Sequence, residues 1–396
     1  MHLQRYLFIL AASVAFIFSS CSDAPRDFNS SLLGPDQVNI LSVNSFNGNY
    51  NQNSTSFKTV VPTGASNELL LGKYEGQEAS ILIQFAFYLP DSLKNDLNSG
   101  AITITDGWVE FVRTYMFGDS TKSMDFSAHK ITTPWTSYGF TSDSLDPAKS
   151  SFTYDNADIS SQRDVISDSI NSFHLTTQYL TDALKNFVNG TPGYGMYLKP
   201  TTGSQKVIGY QAVSSGSFTQ PALKIVINKA GVYTDTLGFD GYGDVSVLDG
   251  ELPTVDPGEI VMQSSLVGQS RIAFDVSSIP SEAVINKARL ILNVDTLKTK
   301  FGTSYSPVIA VFNIADSAAK NIDSSFSGAT LSPYDTTYEG NITGFVQKWV
   351  TSKQNQGIIL SPQDGLKGME TFVFKGSNAT EPWKRPRLEI LYTIKK

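Results

Sequence analysis

The chain has 396 residues, 40% of them hydrophobic and only 17% charged, with 17 Tyr and 24 Phe. Its formal net charge is −7 and no run of Lys or Arg occurs, so nucleic-acid binding has no electrostatic footprint. Sparse charge with many aromatic and β-branched residues suits sheet surfaces rather than long exposed helices, and the length suits two or three domains.

Residues 1–20 read as a signal peptide. Tyr6–Phe18 is an apolar run of 13 residues, short for a membrane span and typical of a signal core. Phe18-Ser19-Ser20-Cys21 follows and resembles a bacterial lipobox, which implies a lipid on Cys21. Cys21 is the sole cysteine, so the chain has no internal disulfide and its core alone must hold it together. The alternative is an ordinary secretory signal with an incidental cysteine. Ser22 rather than Asp after the Cys favours, by likeness to lipoprotein sorting, the outer membrane. Residues 21–37 are polar, contain Pro25 and Pro35, and read as a tether between a lipid-anchored N-terminus and the fold.

Beyond the tether the chain reads as two copies of one pattern, 38–229 and 230–396. Residues 38–61 are expected to form opening strands and loops. Glu68–Leu71, Ala79–Leu89 and Ile102–Val112 read as strands of the first copy. Thr176 or Thr177 caps a helix carrying Tyr179, Leu180, Ala183, Leu184, Phe187 and Val188 at helical spacing, which Asn189-Gly190 stops. The second copy opens near Val232. There Glu259–Met262, Arg271–Ile279, Ala288–Val294 and Val308–Ile314 answer the strands of the first, the last matching Asp125–Ile131. Its helix carries Ile342, Phe345, Val346, Trp349 and Val350 behind Asn341. In both copies a Gly stands seven residues after the last helical Val (Val188 to Gly195, Val350 to Gly357), and Leu-x-Pro follows. Leu89-Pro90 to Ile279-Pro280 is an offset of 190, Leu198 to Leu360 one of 162, so the first copy holds 28 more residues. The Ser- and Asp-rich stretch 141–172 is the expected insertion, read as a solvated loop.

Short strands, Gly/Pro/Asn turns and the lack of a βαβ rhythm predict an all-β chain: two tandem jelly-roll-like β-sandwiches, each with one short helix. RIAFDVSSIP (271–280), ARLIL (288–292), VQKW (346–349), GIIL (357–360), FVF (372–374) and PRLEILY (386–392) resemble the DNRLRE domain of secreted bacterial and archaeal proteins. The likeness covers roughly 232–396. The first copy departs from it, with Gln84-Phe85 where the family carries Arg and Phe-Asp. The resemblance implies a jelly-roll-like sandwich, of a kind sometimes acting as a carbohydrate-binding module.

No HExxH, GxSxG or P-loop occurs, and His129 and His174 without cysteines make no zinc site. The expectation is therefore a non-catalytic envelope protein, with an unrecognised hydrolase as the remote alternative. A polysaccharide ligand calls for flat exposed aromatics beside polar groups. Trp135, Tyr138, Tyr305, Tyr334 and Trp383 stand in polar, loop-like contexts and are the candidates, while Trp108 and Trp349 read as core. The rival partner is another envelope protein, met through edges, loops or the insertion. No cofactor is expected beyond a structural calcium, for which Asp240 and Asp244 are the candidates, with Asp235 and Asp249 near them around Gly241-Tyr242-Gly243. EF-hand spacing is not met there, and a plain solvated turn is the alternative.

Overall fold

The computed structural model describes residues 38–46, 51–165, 169–213, 221–316 and 321–395. Cys21, the signal segment and the tether lie outside them. The first half of the chain runs β1 (Val38–Asn44), β2 (Gln52–Lys58), β3 (Glu68–Tyr74), β4 (Gln77–Phe85), α1 (Asp91–Ser99), β5 (Thr103–Phe117), β6 (Phe126–Lys130), β7 (Ser160–Val165) and β8 (Ile170–Leu175). It continues with α2 (Thr177–Val188), β9 (Met196–Pro200), β10 (Val207–Gln211), β11 (Ala222–Lys229) and β12 (Tyr233–Asp249). The second half runs β13 (Glu259–Gln263), β14 (Gly268–Phe274), β15 (Val284–Asn293), β16 (Ile309–Asp316), β17 (Asn321–Ile322), β18 (Ala329–Tyr334) and β19 (Thr337–Asn341). It closes with α3 (Thr343–Ser352), β20 (Ile358–Pro362), β21 (Thr371–Lys375) and β22 (Arg387–Lys395). The chain is all-β and folds as two sandwiches, every pairing of named strands antiparallel.

Each sandwich closes over its own core. Strand alternation turns one face of β11, with Leu223, Ile225 and Ile227, and one face of β22, with Leu388, Ile390 and Tyr392, into buried layers. The first core gathers Leu69, Ile81, Ile83, Phe111, Phe173, Leu180 and Leu184; the second gathers Ile260, Ile272, Leu290, Val346, Trp349 and Phe372. The helices sit as the spacing predicts. Thr176 accepts the backbone N–H of Tyr179 at 3.4 Å, and Asn341 Oδ1 accepts that of Thr343 at 2.9 Å. Gly190, at φ +69°, stops α2.

The order of pairing departs from the repeat borders read in the sequence. Strands β1 and β2, expected in the first sandwich, pair with β22 and β14 of the second. Strand β12, expected to open the second, pairs with β11 and β4 of the first. Hydrogen-bond register overrides sequence proximity: β12 is seventeen residues long and crosses from one layer of the first sandwich to the other. The first sandwich also holds an unexpected helix, α1, which follows Pro90 and ends on Gly100 at φ +75°.

The insertion is not a solvated loop. Phe140, Leu145, Phe152 and Tyr154 pack with Trp135 on Leu82, Tyr197, Val245 and Val247, the outer face of the β4–β12 layer. This gives the first sandwich a second apolar layer. Between the sandwiches lies a further cluster in which Leu70, Tyr115, Phe117 and Val207 of the first meet Leu266 and Met369 of the second. The Met369 backbone N–H donates to the Tyr115 hydroxyl at 2.8 Å, and Gln77 and Gln263 exchange two amide hydrogen bonds at 2.6 and 2.7 Å.

Candidate functional site

The helix-Gly-strand unit is the clearest repeat in the sequence, and its two copies end differently. The shared Gly serves backbone approach in both. A Cβ on Gly195 would stand 2.0 Å from the Ile83 carbonyl oxygen, and one on Gly357 2.6 Å from that of Ile272. Both residues have positive φ, +78° and +87°. The residues just before these glycines differ. In the second copy Lys353 donates to the Ile279 carbonyl at 2.9 Å, Asn355 to that of Phe274 at 2.6 Å, and Arg271 to that of Gln356 at 3.0 Å. Three side chains thus lace that turn onto the end of the sheet. In the first copy the turn reads Gly-Thr-Pro-Gly-Tyr-Gly (190–195) and supplies no long polar side chain of its own; it is held from outside, where Gln84 donates to the Tyr194 carbonyl at 3.3 Å.

A cleft of about 610 Å³ opens there, between the helix, the turn and the ends of β4 and β6. Tyr179, Asp182, Ala183, Asn186 and Phe187 form one face of α2 toward it, while Leu180 and Leu184 face the core. The floor is apolar: Phe87 stacks edge-on against Phe239 at 4.9 Å and lies 5.8 Å from Phe187. The rim is polar, with Gln84, Lys130, Asp182 and Asn186. Lys130 has no ion-pair partner among the described residues, and the Tyr179 hydroxyl no hydrogen-bond partner. Burial raises the pKa of that hydroxyl, so it stays protonated and can both donate and accept.

Tyr242 completes the lining and is 58% exposed. It stands in the bulge that shifts the β12–β4 register between Gly241 and Gly243. The preceding residue is closely packed: a Cβ on Gly241 would meet Val213 Cγ2 at 2.9 Å and the Pro221 carbonyl oxygen at 3.2 Å. A bulge with glycines re-aims one side chain out of the pleat, and here that side chain is a tyrosine. In the sequence this stretch offers the Asp residues around Gly-Tyr-Gly as its candidates, not the tyrosine between them. An aromatic flanked by glycines inside a strand is the signal that pointed to it.

The aspartates are spread along β12. Asp244 is buried, its Oδ2 accepts the Val213 N–H at 2.6 Å, and burial pushes its carboxyl up to about 6. Asp240 is exposed, and Asp235 and Asp249 lie further along the strand. Among the described residues no group of three or more His, Cys, Asp or Glu is placed to hold a metal ion. His129 is spent on Ser127 at 2.7 Å and the Asp155 carbonyl at 3.0 Å, and His174 on Asp106 at 2.8 Å.

The five candidate loop aromatics divide along the chain, Trp135 and Tyr138 in the first half and Tyr305, Tyr334 and Trp383 in the second. Trp135 is an anchor: it is half-buried on Phe140, and its Nε1–H donates to the Tyr194 carbonyl at 2.8 Å, which fixes the far end of the cleft's turn. Tyr138 is 95% exposed at a loop tip. Tyr305 stacks on Phe301 with centroids 4.2 Å apart, Tyr334 ends β18, and Trp383 sits in a 3₁₀ turn before β22. None of the five lines the cleft. Trp349 is core as expected, 1% exposed, with Nε1–H donating to Asn313 Oδ1 at 2.7 Å. Trp108 is not core: it stands half-exposed, with Nε1–H donating to Glu110 at 2.8 Å.

No family model, no curated protein and no solved structure matches this chain. No helix among the described residues is long and apolar enough to cross a membrane.

Proposed function

We propose that the protein is a non-catalytic, lipid-anchored envelope protein that binds carbohydrate in the cleft of its first sandwich. The observation that carries this reading is the cleft itself, present where the two copies differ and combining exposed Tyr242 with an aromatic floor and a rim of amide, ammonium and hydroxyl groups. A pyranose ring offers a C–H face to an aromatic and hydroxyls to a polar rim. Asp182 is the one carboxylate in the lining, whereas glycoside hydrolysis calls for two flanking the bond. The lipobox-like Cys21 and the likeness to the DNRLRE domain support an exported protein, held at the outer membrane, that presents a binding module.

A glycan array probed with the Ser22–Lys396 chain, followed by calorimetric titration of each hit, tests the proposal. Tyr242→Ala is expected to weaken binding about tenfold, equivalent to about 1.4 kcal/mol. Asn186→Ala is expected to weaken it similarly, and Tyr138→Ala to leave it unchanged. A blank array across broad polysaccharides overturns the glycan reading. A hit insensitive to both cleft substitutions places the sugar elsewhere.

A further inference from the structure

The cleft of the first sandwich occupies a seam that the second sandwich keeps shut. Register makes the two seams comparable residue by residue. Lys130 of β6 lies opposite Met196 of β9, and Asn313 of β16 lies opposite Ile358 of β20. In both, the next residue donates its N–H to the repeated glycine's carbonyl at 3.1 Å, Ile131 to Gly195 and Ile314 to Gly357. Phe187 and Trp349 each stand eight residues before that glycine. Lys130 and Asn313 are therefore counterparts, as are Phe187 and Trp349. Alternation puts both strand residues on the core face, Lys130 after Phe126 and Ala128, Asn313 after Ile309 and Val311.

In the second seam the pair is complementary. The Trp349 Nε1–H donates to Asn313 Oδ1 at 2.7 Å, and the Asn313 amide donates to Asp323 Oδ2 at 3.1 Å. Trp349 is 1% exposed and Asn313 4%, so the pair is shut away from solvent. In the first seam the same lock has no chemistry to form. An ammonium has three donors and no acceptor, so it offers an indole N–H nothing to bind, and the helix there carries Phe187, which needs no partner. An ammonium without a carboxylate is also too costly to seal from water, so a lysine at this place keeps the seam open. Among the described residues no carboxylate pairs with Lys130. Asp155 is placed by its backbone as Asp323 is, their N–H groups donating to the carbonyls of Lys130 and Asn313 at 2.8 Å, but Asp155 is exposed. Gln178 donates to both carboxylate oxygens of Asp182 at 3.0 Å.

We infer that Lys130 and Phe187 are the two residues that open the cleft, and that Lys130 Nζ is the donor that selects its ligand, bonding to sugar hydroxyls where the second seam spends an amide on its own tryptophan. The donor role rests on the carbohydrate reading; the opening role does not. The opening role is tested by grafting the lock. The chain has four tryptophans, and 5-fluorotryptophan labelling of Phe187→Trp, alone and together with Lys130→Asn, adds a fifth fluorine resonance to each spectrum. A soluble paramagnetic reagent is expected to broaden the new resonance in the single variant and to spare it in the double variant, where the indole has its acceptor. Equal broadening in both overturns the opening role. Lys130→Met keeps the apolar stem and removes the charge. It is expected to raise the thermal midpoint while weakening each glycan hit about tenfold, a split that a merely structural role does not give. A midpoint that does not rise overturns the opening role, and this decides even where the double variant fails to fold. If Tyr242→Ala and Asn186→Ala weaken glycan binding and Lys130→Met does not, the donor role falls and the carbohydrate reading stands. A blank array removes that reading and the donor role with it, and the fluorine spectra then decide the opening role alone.

Discussion

Glu68 and Glu370 meet where the sandwiches touch, one from each, at 2% and 3% exposure. Glu68 accepts the Thr114 hydroxyl at 2.9 Å and the Gly368 N–H at 3.1 Å, and no cation stands within ion-pair distance of either carboxyl among the described residues. Burial pushes Glu68 up to about 7 and raises Glu370 as well. The folded protein thus binds these protons more tightly than the unfolded chain. Stability from Glu68 is complete below about pH 4.5 and falls as pH rises through about 7, by on the order of 3 kcal/mol. Asp244, raised to about 6, acts in the same direction between about pH 4 and 6. Denaturant melts at pH 5 and pH 8 are expected to give the higher midpoint at pH 5. Glu68→Gln can still accept the Gly368 N–H while its NH2 donates to the Thr114 hydroxyl oxygen, reversing that bond, and is expected to flatten that difference; an unchanged pH dependence would refute the assignment. A second residue-scale test concerns the repeated glycine. Gly195→Ala imposes a left-handed backbone costing about 1–2 kcal/mol, and its Cβ meets the Ile83 carbonyl, so a drop in thermal midpoint is expected.

At the scale of elements, the two repeated helices show what the sequence can and cannot tell. Their apolar spacing, and the cap and stop of the first, were legible, because amphipathic periodicity is a local property; the second is capped at Ile342, one residue after the expected Asn341, and ends on Lys353 at φ +55°. Their divergence was legible only as different letters. Trp349 is locked through Asn313 to Asp323, whose carboxylate Lys348 also holds, so that helix is closed down on its core. Phe187, its counterpart, is half-exposed over the cleft. Trp349→Ala is expected to cost about 3–5 kcal/mol in equilibrium unfolding, and Phe187→Ala distinctly less. Equal losses would mean the cleft is as tightly packed as the core. Helix α1 escaped notice because only Leu93 and Leu97 mark its apolar face, although Asp91 after Pro90 and Gly100 at its end were start and stop signals. Tyr242 escaped for a different reason: its exposure depends on a bulge against β4, a distant strand. The insertion's Phe152 and Tyr154 looked isolated among Ser and Asp, and only the outer face of a sheet gives them a partner.

For the whole molecule, the all-β architecture and the equivalence of the repeats were legible, since each strand carries its own alternation. The exchange of opening segments was not, because β1 and β12 alternate in the same way whichever sandwich they join. It also makes the cleft a shared property: Tyr242 comes from the sequence of the second repeat and the rest of the lining from the first. The exchange sets an order in time as well. Val38 lies opposite Lys395, so a strand made early pairs with one made several hundred residues later. At roughly 5–20 residues per second, that strand waits tens of seconds for its partner. Pairings this distant in sequence also slow folding once the chain is complete. Until then β1 lacks β22 to pair with, and whatever escorts the nascent chain must keep that strand covered.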